Sequence, residues 1–135
     1  MQFLRVLVVE DFEPFRNFVC SALQETAEYR VVATASDGVE AIRKAEESQP
    51  DLILLDISLP KLNGLEAAKQ LCVVAPRAKI LIFSQIKDPD VTQSALNDGC
   101  SGYVLKSDAS HELLPAMKAV FRGERFISRR LTLGG

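Results

Sequence analysis

The stretch Leu52-Ile53-Leu54-Leu55-Asp56 decides the fold. Four consecutive apolar side chains with no polar alternation describe a strand covered on both faces, the habit of a central strand in a parallel sheet. Such a strand has no reason to end in a charge unless its carboxyl end is where chemistry takes place, and open α/β sheets bind their ligands outside that edge. A second apolar stretch, Phe3 to Val9, also ends in acid, as Glu10-Asp11. Two strands that deliver three carboxylates to one edge predict a cation site, with Asp56 as the reactive group.

Outward from that core strand, five apolar, β-branched stretches alternate with five helical patterns. The strands are expected at Phe3–Val9, Arg30–Ala35, Leu52–Asp56, Lys79–Ser84 and Gly102–Leu105. The first helix opens near Pro14, a residue suited to a first turn, and carries the stripe Phe15, Phe18, Val19, Ala22 and Leu23 at core-facing spacing. Asp37 with Glu40 three residues on is a capping-box arrangement; the helix it starts turns Val39, Ala41, Ile42 and Ala45 inward. The third helix follows Gly64, with Leu65, Ala68, Leu71 and Cys72. The fourth spans about Pro89 to Asp98, with Gly99 as its stop, and the fifth spans about Ser110 to Arg122 before Gly123. Alternation with short connections predicts a doubly wound α/β domain, a five-stranded parallel sheet of flavodoxin-like (βα)5 type in the order 2-1-3-4-5. That order sets the first and third strands side by side and brings Glu10, Asp11 and Asp56 together.

The bulk numbers restrict the alternatives. The chain has 135 residues, enough for one compact domain. Net charge is -2 and pI about 5.4, which argues against this segment gripping nucleic acid through its own surface. Cys20, Cys72 and Cys100 are far apart, and His111 is the single histidine, so a zinc site is not expected. The thiols are expected to be reduced and His111 to be an exposed polar residue. Neither a signal peptide nor a membrane-length apolar run is read in the sequence, and a cytoplasmic location is expected. The domain is expected to occupy residues 1–123, with residues 124–135 the beginning of a linker or a tail.

Four features share the carboxyl edge. Glu10-Asp11 end the first strand, Asp56 the third, Ser84 the fourth and Lys106 the fifth. Three close carboxylates need compensation, which a hard divalent cation supplies. Mg²⁺ suits one or two carboxylates plus a phosphate. Lys106 offers a point charge and Ser84 a hydroxyl to phosphoryl oxygens. The set describes a phosphoryl-binding site whose nucleophile is a carboxylate.

At these residues the chain resembles response-regulator receiver domains. Val8-Val9-Glu10-Asp11 resembles the family's acidic pair. Asp56-Ile57-Ser58-Leu59-Pro60 with Asn63-Gly64 resembles its phosphoacceptor segment and trailing loop. Ile82-Phe83-Ser84 resembles its hydroxyl position, and Gly102-Tyr103-Val104-Leu105-Lys106 its switch aromatic and lysine. The likeness extends over residues 1 to about 123. It implies that Asp56 accepts a phosphoryl group from a sensor histidine kinase. It further implies that Mg²⁺ is held by Asp11, Asp56 and the Ser58 backbone carbonyl, with Glu10 acting through water. Lys106 then pairs with the phosphoryl group, Ser84 swings towards it, and Tyr103 turns inward into the vacated space. The surface of the fourth helix, fifth strand and fifth helix shifts as a result, and homodimerisation becomes a possible outcome. Beyond phosphorylation from small donors and self-dephosphorylation, no enzymatic activity is expected.

Three residues depart from the family pattern. Ser107 follows Lys106 where proline is common, and a non-proline cis bond costs about 2.5–4 kcal/mol, which leaves a trans bond and an altered loop open. Gln85 follows Ser84 where a small residue is common; it would either screen the acyl phosphate or position a water against it. Ser58 replaces a bulkier side chain and opens the site. Leu105-Lys106-Ser107 together with Gly123-Glu124-Arg125-Phe126-Ile127-Ser128 resembles the LuxR/NarL class of transcriptional regulators. That likeness implies a DNA-binding helix-turn-helix domain after the receiver. A stand-alone receiver working through protein partners or phosphorelay is the alternative. A flavodoxin-like cofactor binder is disfavoured, because the turn Glu10-Asp11-Phe12-Glu13-Pro14 has no glycine with which to cradle a phosphate. A degenerate receiver is disfavoured because each family residue is present.

Overall fold

A computed structural model describes residues 3–59 and 61–132. Pro60 of the loop and Leu133-Gly134-Gly135 of the tail lie outside the described residues. The elements run β1 (Leu4–Val9), α1 (Glu13–Gln24), β2 (Tyr29–Ala35), α2 (Gly38–Ser48), β3 (Leu52–Asp56), α3 (Gly64–Val74), β4 (Lys79–Ser84), α4 (Pro89–Asn97), β5 (Gly102–Leu105), α5 (Ala109–Phe121), β6 (Phe126–Ile127) and a single turn, α6 (Arg129–Thr132). The sheet is parallel throughout its pairings, in the order β2-β1-β3-β4-β5-β6. Five strands in the order 2-1-3-4-5 are present as expected, and a sixth corrects the count. The added strand arises because Phe126 and Ile127 pair with Gly102 and Tyr103 on the otherwise open edge of β5. Two residues are too short a run to carry a periodicity that can be read in advance.

β3 is buried at every residue, and its side chains divide between two cores. Ile53 and Leu55 pack with Ala41, Ala45, Ala67, Ala68, Leu71 and Ala95 of α2, α3 and α4. Leu52 and Leu54 pack with Val19, Leu23, Leu113, Ala116 and Met117 of α1 and α5. This two-sided burial is the physical reason for the unbroken apolar run, since each face of the strand must leave water. The buried positions of α2 are Gly38, Ala41 and Ala45, and those of α3 are Gly64, Ala67, Ala68 and Leu71, so small side chains make most of the contact from these helices.

Local signals set the helix starts. Asp37 accepts a hydrogen bond from Glu40 N at 2.8 Å, Asn63 from Glu66 N at 3.0 Å and Asp88 from Asp90 N at 2.8 Å; each satisfies an amide that the first turn leaves without a partner. Glu40 in turn accepts from Ser36 N at 2.8 Å. Gly99 ends the α4 region at φ +100°, a conformation glycine adopts without steric cost. Two residues of the expected apolar faces lie outside the core: Phe18 and Val39 are 40% and 57% exposed. Among the described residues no peptide bond is cis, so Lys106-Ser107 is trans and continues into a 3-10 turn over Lys106–Asp108. His111 is exposed, as expected.

Cys100 is buried, and burial pushes its thiol up to about 12. Since the thiolate is the reactive form, Cys100 is expected to resist iodoacetamide at pH 8 in the folded protein and to react quickly once denatured. Mass-spectrometric labelling measures this, and rapid native-state modification would contradict the burial. Among the described residues no helix is long and apolar enough to cross a membrane.

Candidate functional site

Strand register assembles the site. Val9 is level with Leu55, so Glu10 and Asp56 leave neighbouring strands side by side. Asp56 is level with Phe83, and Ser84 with Leu105, which places Ser84 one step and Lys106 two steps further along the same edge. Residues far apart in the chain meet because parallel strands expose all their carboxyl ends on one side.

Glu10, Asp11, Asp56, Ser58, Gln85 and Lys106 line a cavity of about 250 Å³ together with Phe12. One oxygen from each of Glu10, Asp11 and Asp56 lies within 4.8 Å of the others. Glu10 and Asp56 are buried, whereas Asp11 is exposed at the mouth. Asp56 Oδ1 accepts from Ser58 N at 3.1 Å, and Asp56 Oδ2 from Lys106 Nζ at 3.3 Å. Lys106 Nζ also meets Glu10 Oε1 at 2.5 Å. That second contact is an ion pair without the alignment of a hydrogen bond. Glu10 Oε2 accepts from Phe12 N at 3.0 Å. Burial raises the Glu10 carboxyl to about 7, and nearby Asp56 adds to the rise; the Lys106 and Phe12 contacts oppose it.

Three carboxylates therefore face one ammonium. This excess of oxygen ligands and negative charge fits a hard divalent cation of the Mg²⁺ type. The donor set is all oxygen, with no thiol or imidazole among the cavity's residues.

Ser84 and Tyr103 lie behind this cavity, outside its lining. Ser84 is fully buried, and its Oγ accepts from Ile86 N at 3.0 Å. Tyr103 is also fully buried, and its hydroxyl donates to Ile86 O at 2.8 Å. Burial raises the Tyr103 hydroxyl, while the Ser84 hydroxyl beside it pulls the other way. The aromatic ring expected to turn inward is already inward here.

Three contributors were not read in the sequence. Phe15 and Phe83 place their rings 4.8 and 5.8 Å from Lys106 Nζ, close enough for a cation–π attraction that helps seat the ammonium. Arg16 Nη1 donates to Glu10 O at 2.9 Å and so holds the acidic turn from behind. The helical stripe marks Phe15 only as core, and an arginine in the first turn of a helix carries no distinguishing pattern.

Gly64 fixes the floor of the site. Its amide donates to Ile57 O at 2.7 Å, and a Cβ there would lie 2.4 Å from Ile57 Cα and 2.5 Å from Asp56 O. Gly64→Ala must therefore push α3 away from the exit of β3, and overpacking against backbone has no cheap relief. A loss of about 3 kcal/mol is expected, read as a lower urea midpoint; an unchanged midpoint would show that the backbone yields freely.

The sequence profile of the response regulator receiver domain matches residues 6–118. The chain belongs to that family. The receiver is 35% identical over 129 residues to the transcriptional regulatory protein DegU of Brevibacillus brevis, covering 96% of this chain and 55% of DegU. It is 34% identical over 130 residues to the oxygen regulatory protein NreC of Staphylococcus aureus, covering 96% and 60% of the two chains. It thus spans somewhat over half the length of these curated relatives. Among solved structures, a LuxR-family two-component response regulator from Aurantimonas sp. SI85-9A1 superposes with a TM-score of 0.92 at 32% identity, covering 98% of this chain and 94% of that one. The response regulator domain of Thermotoga maritima CheB superposes with a TM-score of 0.81 at 30% identity, covering 87% and 95%. The receiver domain is of the LuxR/NarL class of two-component response regulators, with the flavodoxin-like α/β fold of that family.

Proposed function

We propose that Asp56 is a phosphoacceptor that takes its phosphoryl group from the phosphohistidine of a sensor kinase. The observation that supports this most is the posture of its carboxylate, with Oδ1 held by Ser58 N and Oδ2 beside Lys106 at the floor of a solvent-reaching cavity. An Asp56 oxygen attacks phosphorus, a P–O bond forms, the P–N bond breaks, and the histidine nitrogen leaves with the bonding electrons. Lys106 stands where it can move from the carboxylate pair to a phosphoryl oxygen. Asp11, Asp56 and the Ser58 carbonyl would hold Mg²⁺, with Glu10 acting through water, and the bound ion would supply positive charge to the phosphoryl oxygens.

Ser84 then exchanges its Ile86 amide for the phosphoryl group. Tyr103 stays inward on Ile86 O, which biases the surface of α4, β5 and α5 towards one packing. A local charge event selects between two packings of the same chain. Exposed Gln85 and Ser58 border the cavity and set how readily water reaches the acyl phosphate. No catalytic turnover beyond self-phosphorylation and self-dephosphorylation is part of this reading.

The relatives' names as transcriptional regulators favour an output through a DNA-binding domain beyond this chain, after contact with a kinase in the cytoplasm and self-association on phosphorylation. In the second reading the receiver acts alone through protein partners. A reading frame that continues into a helix-turn-helix distinguishes the first from the second.

Acetyl phosphate with Mg²⁺ is expected to add one phosphoryl group, labile to hydroxylamine as an acyl phosphate is, and EDTA is expected to prevent it. Uptake that is indifferent to EDTA, or stable to hydroxylamine, would remove the proposal.

A further inference from the structure

Residues 126–132 do not trail away from the domain; they are fastened to β5 and to the turn after it. Phe126 and Ile127 lie in register with Gly102 and Tyr103. A Cβ on Gly102 would come 2.7 Å from Phe126 O, so the strand is bare where β6 approaches. Ser128 N donates to Tyr103 O at 2.9 Å. The Ser128 hydroxyl, fully buried, accepts from Leu105 N at 2.8 Å and donates to Glu112 Oε1 at 2.5 Å. Glu112 Oε2 also accepts from Arg129 N at 3.3 Å. Arg130 Nη2 lies 3.3 Å from Asp108 Oδ1, in the turn that begins at Lys106. Leu131 is buried in the same core as Tyr103 and Leu105.

These contacts converge on Tyr103–Asp108, the stretch that contains the inward aromatic and the lysine of the site. Ser128 spends its one donor on α5 and a lone pair on β5. Both bonds survive only while those two elements keep their spacing. Leaving a buried polar group without its partner costs more than the bond itself contributes, so the seat is either made or broken and does not stretch gradually.

We propose that residues 126–132 form a latch that reads the site through β5, closed when Ser128 bridges Leu105 N and Glu112, and opened when a phosphoryl group on Asp56 draws Lys106 away from Glu10. The inference rests on the phosphoacceptor reading of Asp56. It adds an output element: the C-terminal segment senses the site directly, in addition to any change at α4 and α5. Because coupling is reciprocal, breaking the latch also favours the phosphorylated-like form.

Amide hydrogen exchange on this chain, measured by NMR with Mg²⁺ and beryllofluoride, tests the latch; ¹⁹F NMR on the same sample reports bound fluoride. Exchange at Leu105 and Ser128 is expected to speed up about tenfold in the bound form while Leu54 in β3 stays unchanged. Ser128→Ala is expected to speed Leu105 exchange without beryllofluoride and to tighten beryllofluoride binding by a similar factor. Glu112→Gln, which keeps the shape of a half-buried residue, gives the same changes at smaller size and serves if Ser128→Ala fails to fold. Bound fluoride with unchanged Leu105 and Ser128 exchange overturns the latch and leaves the phosphoacceptor reading standing. Equal acceleration at Leu54 overturns it as well, since that would be general loosening. Absence of a bound fluoride signal overturns both readings.

Discussion

Asp56→Asn is expected to take up no measurable phosphoryl group from acetyl phosphate and to bind no beryllofluoride, while folding as well as the parent. An amide oxygen lacks the negative charge that makes a carboxylate a nucleophile, so the loss is complete and not graded. The replacement keeps an acceptor for Ser58 N and occupies the same volume. It also removes one of three crowded negative charges, which relieves like-charge repulsion. Stability is therefore expected to stay within about 1 kcal/mol of the parent or to rise. Intact-protein mass spectrometry and urea denaturation measure the two halves. Residual phosphorylation at the parental level would move the acceptor elsewhere, and a collapse of stability would make Asp56 a structural residue.

Lys106→Ala has the next largest expected effect. The ammonium is the partner of both Glu10 and Asp56, and all three side chains are largely buried. Removing one member of a buried ion group leaves its partners uncompensated, a cost of about 3–5 kcal/mol. That cost is expected in metal-free buffer. Mg²⁺ can take over the neutralising role, so the variant should keep metal binding and gain more stability from Mg²⁺ than the parent does, through mass action on the folded state. With the lysine gone, beryllofluoride is expected to leave the exchange of the Tyr103 region unaltered. Thermal denaturation with and without Mg²⁺ decides the first point; equal Mg²⁺ effects in parent and variant would separate Lys106 from the acidic cluster.

Much of this was legible along the chain. The run Leu52–Asp56 announced a doubly covered strand because each face of that strand is buried, and apolar residues at adjacent positions record burial on both sides. Asp37 and Gly99 announced a helix start and stop because capping is chemistry between near neighbours. The cluster Glu10, Asp11 and Asp56 followed from topology once the first and third strands were paired. Phe18 and Val39 read as core because they share a stripe with buried neighbours. Their exposure depends on how far the sheet extends beneath each helix, which the helix's own period does not encode.

What stayed invisible shares one property, dependence on distances between elements remote in sequence. No strand is legible at residues 126–127, because two residues carry no period; β6 forms because the β5 edge offers unpaired backbone groups and Gly102 admits close approach. Arg16 serves the Glu10 carbonyl through the angle at which α1 leaves β1. The place of Tyr103 before Lys106 marks it as a candidate switch aromatic, yet its inward posture depends on the Ile86 carbonyl across the sheet edge. Residue types and their order suffice for the kind of chemistry and for the strands that bear it, because burial and charge are written locally. Which groups touch, and how the C-terminal segment is held to the site, follow from close packing alone, where a few tenths of an ångström decide whether a hydrogen bond exists.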